Sequence, residues 1–185
     1  MNTLIRSIEG ENLRYKALAE AALAQVPEAS LSEPGLGNGN SLAIICWHLS
    51  GNLKSRFTDF LSADGEKPWR NREEEFNART VSRGELLEKW NDGWSALLTT
   101  LRDLSDEDLD RSITIRGQSL AVHEALNRSL SHASYHVGQI VYVAHAIVGA
   151  GWRYLSIAPG GSAAYNASAP DQKPLAHAKA LNQVR

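Results

Sequence analysis

His132 and His136 stand four residues apart in the run Ser131-His132-Ala133-Ser134-Tyr135-His136-Val137-Gly138-Gln139-Ile140. On a helix, residues i and i+4 lie one above the other on the same face. Two imidazoles stacked in this way can chelate one divalent ion, and a third ligand from another helix would complete a facial site with positions left open. His48, in Ile44-Ile45-Cys46-Trp47-His48-Leu49-Ser50-Gly51-Asn52, is the third candidate. An open three-histidine centre would point to chemistry rather than to a purely structural metal. Histidines at this spacing also occur in hydrogen-bonded networks. The set therefore gains metal-binding meaning only if the fold brings the two segments together.

Each helical residue turns about 100° around the axis, which sorts the remaining candidates by face. His136 falls about 40° from His132, whereas His123 and His145 each lie nine positions from a member of the pair, half a turn away. Both are expected to point elsewhere. Gln139, three positions past His136, shares the face and is expected to orient a ligand or a bound water from behind. Gly138 is expected to allow close approach of a neighbouring helix. Cys46 lies two residues before His48, about 200° away, and reads as a small buried hydrophobe. Glu124 is eight residues before His132, about 12 Å along the axis, and reads as a first-turn residue favoured by the helix dipole. His177 falls in a polar tail.

Several chemistries are excluded. No Glu follows His132, so the His-Glu-x-x-His pattern of zinc peptidases is absent. Gly35, Gly37 and Gly39 do not lead into a Lys-Ser/Thr, so there is no phosphate loop of that kind. Ser131, Ser134 and Tyr135 supply hydroxyls but no Ser-His-acid triad can be assembled.

The elements that must position these residues read as long amphipathic helices. Periodicity predicts a first helix over about Thr3–Val26, broken by Pro27 and by Pro34-Gly35-Leu36-Gly37-Asn38-Gly39-Asn40. A second runs from about Ser41, capped by Asn40, to Leu61. The third opens on the capping box Ser82-Arg83-Gly84-Glu85 and continues to Leu101. Ser112 to Leu120 alternates around a turn glycine and predicts a small hairpin. The fourth helix runs over about Val122–Val148 and stops at Gly149-Ala150-Gly151. Trp152 to Ser162 is irregular. The glycine-rich loop before the second helix, Trp69, Arg70, Arg72 and the Trp152–Ser162 stretch are expected to wall a pocket. The fold class is all-α, a four-helix bundle, in which metal sites are built from side chains on facing helices. Residues 1–166 form the domain and 167–185 a polar tail.

The chain has 185 residues, a formal net charge of −2 and a pI near 6.3. At this length folding buries roughly 70% of the unfolded surface. Neither figure suggests a nucleic acid or an anionic membrane as partner. Cys46 is the single cysteine, so no internal disulfide forms. No signal-peptide pattern and no apolar run near the ~20 residues of a membrane span is present, so a cytoplasmic protein is expected.

Taken together, the residues resemble the DinB-like superfamily of metal-binding four-helix bundles. The likeness rests on His48 in the second helix and on His132-Ala133-Ser134-Tyr135-His136-Val137-Gly138-Gln139-Ile140 in the fourth. Leu42 to Leu53, Asp64-Gly65-Glu66-Lys67-Pro68-Trp69 and Leu155-Ser156-Ile157 are similar to one uncharacterised branch, and the resemblance covers about residues 1–166. It implies a divalent ion, zinc or nickel foremost, on His48, His132 and His136, and frequently a homodimer. Some relatives transfer or isomerise with low-molecular-weight thiols such as bacillithiol, mycothiol or glutathione; many have no assigned reaction. The chain departs from the commoner pattern in carrying Ala133, not Glu, after the first histidine of the pair. The expected function is a metal-dependent enzyme acting on a small molecule, a thiol-dependent S-transferase foremost. The rivals are a metal-assisted hydrolase, a non-catalytic stress-associated metal- or ligand-binding bundle, and a bundle whose histidines are merely hydrogen-bonded.

Overall fold

Four long helices and one small hairpin make up the architecture, seen in a computed structural model that describes residues 3–169. Helix α1 spans Thr3–Leu23, α2 Leu42–Phe57, α3 Arg83–Asp103 and α4 Val122–Val148. Strands β1, Ser112–Ile115, and β2, Gln118–Ala121, precede α4, and a short helix α5 occupies Ser162–Ala167, across the expected domain edge. Residues 170–185, most of the expected tail with His177, lie outside the described residues. Helix α2 packs chiefly on α3, α1 chiefly on α4, and α2 also meets α4, the pairing the three histidines require. No helix among the described residues is long and apolar enough to cross a membrane.

The core forms where the apolar stripes meet. Ile5, Ile8 and Leu23 of α1, Leu42, Ile45, Leu49 and Leu53 of α2, Trp90, Trp94 and Leu97 of α3 and Leu126, Val137 and Ile140 of α4 are all buried. Burying a side chain of this kind removes its apolar surface from water and is worth about 1.5–3 kcal/mol. Trp90 and Trp94 lie in contact, ring centroids 5.3 Å apart.

The helix ends follow capping chemistry, with some differences from expectation. At α3, Ser82 Oγ accepts from Glu85 N at 3.2 Å while a Glu85 carboxylate oxygen accepts from Ser82 N at 2.8 Å, the reciprocal box read from sequence. The cap of α2 is Ser41, whose hydroxyl accepts from Ile44 N at 3.2 Å, and not the expected Asn40. Helix α2 also ends at Phe57 rather than Leu61, because Thr58 is extended (ψ 128°) and Asp59 is left-handed (φ 49°). The first helix stops at Leu23, three residues before Val26. Its N-terminal amides are satisfied from far away: Asp106 accepts from Thr3 N at 2.6 Å and from Ile5 N at 3.2 Å.

The hairpin pairs Ile113 with Leu120 and turns through Arg116 (φ 54°) and Gly117 (φ 72°), two positive φ values as in a type I′ turn. A two-stranded ribbon is marginal by itself. Here it is tied to the loop after α2: Asp64 accepts from Arg116 N at 2.8 Å and Gly117 N at 2.7 Å, Gly65 N donates to Thr114 O at 2.8 Å, and Arg116 Nε donates to Glu66 at 2.9 Å.

A candidate metal centre between α2 and α4

His48, His132 and His136 come together. Each offers one ring nitrogen, and the three atoms lie within 4.8 Å of one another. His132 Nε2 and His136 Nε2 are 3.1 Å apart. Two nitrogens bound to one ion at about 2.0–2.1 Å stand roughly 3 Å apart, so the donor set fits a single divalent cation. The ring of His48 stands edge-on to both partners, with centroids at 5.4 Å and 4.9 Å.

The remaining ring nitrogens decide which tautomer is presented. His48 Nδ1 lies 2.9 Å from Glu75 Oε2, and His136 Nδ1 lies 2.8 Å from Gln139 Oε1. Both partners are acceptors, so each Nδ1 carries the proton and each Nε2 keeps its lone pair for a ligand bond. Gln139 is held in turn by donating its amide Nε2 to the Tyr135 hydroxyl at 3.2 Å. Gln139 thus stands behind His136, as expected from its place on the helix. His132 Nδ1 is buried and has no hydrogen-bond partner among the described residues. Burial, with the neighbouring His136 and His48 rings, pushes the His132 imidazole down to about 4. Burial likewise lowers His136, against the Gln139 contact. Both rings are therefore neutral, the ligand form, at neutral pH.

Glu75 was not among the expected residues. It sits in a 3₁₀ turn, Glu73–Phe76, and is buried beside His48. Burial pushes its carboxyl up, but the hydrogen bonds from His48 and Arg70 outweigh this, and the net position is below the usual carboxylate range. Arg70 holds it with two prongs, Nε to Oε1 at 2.7 Å and Nη2 to Oε2 at 2.9 Å. Its carboxylate fits because residue 51 is glycine: a Cβ there would come within 2.1 Å of Glu75 Oε1. Phe76 covers the His48 ring at 4.7 Å. A run of three glutamates reads as a solvated turn in sequence. The one available signal is Gly51, a side-chain-free position one turn past His48.

The other expectations divide. His123 Nδ1 lies 3.0 Å from Leu109 O, and His145 stacks on Trp152 at 5.0 Å, so both leave the site as face-counting required. Cys46 is fully buried, and burial pushes its thiol up. Glu124 accepts from Ala121 N at 2.8 Å at the start of α4. Gly138 is exposed with open space beside it, so no helix approaches there. A cavity of about 200 Å³ adjoins His48 and His132 and is lined in part by Arg70 and Arg72. Trp69, the glycine-rich loop before α2 and the Trp152–Ser162 stretch do not line it; Ile115 and Arg116 of the hairpin do. A larger concavity of about 590 Å³ between α2 and α3 has no histidine on its walls.

Comparison with known proteins decides the family. Residues 2–161 match DUF1572, described as a protein family of unknown function. The chain belongs to the DUF1572 family. No curated protein and no solved structure matches it. The DUF1572 match spans α1 to α4, and so includes every residue of the histidine centre together with Glu75 and Gln139.

Proposed function

We propose that the protein is a metal-dependent enzyme that binds one divalent ion, zinc or nickel, through His48, His132 and His136, and transfers a low-molecular-weight thiol to a small electrophile. The observation that carries this reading is the convergence of three imidazole nitrogens within 4.8 Å, two of them with their far nitrogens held by acceptors. An ion on such a set supplies a lowered pKa to a thiol or water bound beside it. The same three-histidine arrangement across α2 and α4 supports membership of the DinB-like superfamily.

The cavity favours a thiol over water as the group to be activated. No Asp or Glu of the described residues lines it, and Ala133 stands where a general base would follow His132. Water starts from a pKa of about 15.7 and a thiol from about 8.5, so the thiol ionises at an ion with less assistance. A hydrolase would have to rely on the ion alone to ionise its water, since no carboxylate of the described residues lines this wall. The remaining roles fall to the chain itself. Glu75 and Arg70 fix the His48 ring, Gln139 fixes the His136 ring, and the hairpin closes one side of the cavity. A screen of thiols against epoxide and chloro-aromatic acceptors tests the reaction. Turnover that requires both the ion and a thiol is expected. Hydrolysis without added thiol would favour the hydrolase, and ion binding with no turnover of either kind would favour a non-catalytic binding bundle.

A further inference from the structure

The cavity beside the histidines carries more positive charge than its surroundings neutralise. Five arginines line it: Arg56, Arg70, Arg72, Arg116 and Arg128. Asp64 accepts from the Arg116 backbone N, and three further carboxylates pair with the guanidiniums. Glu66 meets Arg56, Arg70 and Arg116, Glu73 meets Arg72, and Glu75 meets Arg70. Five guanidiniums against four carboxylates leave one positive charge over, and none of the four carboxylates lines the cavity itself. Arg128, on α4 one turn before His132, has no ion-pair partner among the described residues.

The residues of the same wall hold polar atoms that have no hydrogen-bond partner among the described residues. Arg70, with its side chain 2% exposed, spends Nε and Nη2 on Glu75 and leaves Nη1 with no hydrogen bond; the nearest carboxylate oxygen, on Glu66, is 3.8 Å away. Ser129 Oγ and His132 Nδ1 are likewise buried without partners. All three residues line this one cavity. A buried donor left unpaired costs about 1–3 kcal/mol, more when charged, and native proteins leave few of them. Three such atoms on residues that line one hollow point to a ligand that accepts hydrogen bonds. His132 would add to this: with an ion on its Nε2, the neutral ring would carry its proton on Nδ1 and offer a further donor.

We propose that this cavity binds the anionic group, a carboxylate or a phosphate, of a small substrate, with Arg70, Arg128 and Ser129 as its donors; the proposal rests on the metal-enzyme reading above and names the substrate class of that site. Guanidinium forks match both groups in geometry and charge. The volume of about 200 Å³ is below the ~300–1,000 Å³ of pockets for drug-sized ligands, so the anion belongs to a compact molecule. Because His48 and His132 form part of the same wall, a molecule anchored on the arginines has its other end beside the histidine centre.

The test is calorimetric titration of the full chain at constant ionic strength with succinate, with inorganic phosphate and with uncharged succinamide, the metal content of each sample being measured separately. Arg70→Gln would leave Glu75 with His48 as its one remaining partner among those described and endanger folding, so the informative variants are Arg128→Gln, at an exposed residue, and Ser129→Ala. Saturable binding of either anion, none of succinamide, and at least about tenfold weaker binding in Arg128→Gln are expected. Binding of succinate but not phosphate assigns a carboxylate substrate, and the reverse assigns a phosphate. Absence of saturable binding by both anions, or an affinity unchanged in both Arg128→Gln and Ser129→Ala, overturns the proposal. The two readings fail separately: metal-free protein that still binds anions through Arg128 sinks only the metal, and metal-loaded protein indifferent to Arg128 and Ser129 sinks only the anion site.

Discussion

The two sides of the histidine centre are held in opposite ways. On α4, His132 and His136 are neighbours by helix geometry, and Gln139, which holds His136, lies three residues on in the same helix. On α2, His48 is held by Glu75, 27 residues away, which is held in turn by Arg70 and admitted by the bare backbone of Gly51. One side is local and comes with the helix. The other is assembled only by folding, and it is also the more buried. A change on the α2 side should therefore disturb both stability and ligand geometry, whereas a change on the α4 side should disturb ligand geometry alone.

The largest effect is expected from Glu75→Ala. It leaves the buried Arg70 guanidinium with only the more distant Glu66 carboxylate, 3.8 Å away, and frees the His48 ring. A loss of about 3 kcal/mol in denaturant unfolding is expected, since breaking one partner out of a buried pair costs about 3–5 kcal/mol. Metal affinity should fall about 10–100-fold, as for other groups that orient metal ligands. Unfolding free energy equal to wild type would show that the α2 side is not held in this way.

Next comes Gly51→Ala, which touches no ligand. Its Cβ would stand 2.1 Å from Glu75 Oε1 and must displace a carboxylate pinned by Arg70. About tenfold weaker metal binding is expected, together with a stability loss of about 1–2 kcal/mol. Titration showing metal affinity unchanged would mean that Glu75 can move without consequence. Gln139→Ala sharpens the contrast from the other side. Metal affinity should fall by up to about tenfold, while stability stays within about 0.5 kcal/mol of wild type because the residue is partly exposed. An unfolding loss as large as that of Glu75→Ala would erase the distinction between the two sides.

The smallest effect concerns the hairpin, another region assembled at long range. Backbone donors on Gly117 and Glu66 hold the Asp64 carboxyl well below its ordinary value. A carboxyl whose folded pKa is depressed stabilises above its unfolded pKa, and that contribution is lost as pH falls through the folded value. The docking of the hairpin should therefore be intact at neutral pH and weaken only in strong acid. Amide exchange at Arg116 and Gly117 should rise there, and in Asp64→Asn it should already be raised at neutral pH. Equal protection in Asp64→Asn and wild type would contradict the docking role.

The same division explains what the sequence disclosed. Four helices, the hairpin and the three histidines were legible because each rests on a local period or a fixed angular step: His136 and Gln139 follow from 100° per residue, and Ser82 with Glu85 caps α3 as a motif of four. What escaped is non-local. Glu75 is hidden in Glu73-Glu74-Glu75, and only the turn that buries it beside Gly51 singles it out. Asp106 caps α1 from more than a hundred residues away. Gly138 was expected to receive a helix and faces open space, because a small residue permits a close approach without causing one. The arginines of the cavity wall come from α2, the loop after it, the hairpin and α4, and no linear spacing connects them.

The central claim is that His48, His132 and His136 hold one ion, and elemental analysis of the full chain purified without a histidine tag tests it most directly. About one equivalent of zinc or nickel per chain is expected, lost in both His48→Ala and His132→Ala while each variant keeps its helical circular dichroism. Metal-free wild-type protein that takes up no added ion, or full stoichiometry retained in a folded His132→Ala variant, would contradict it.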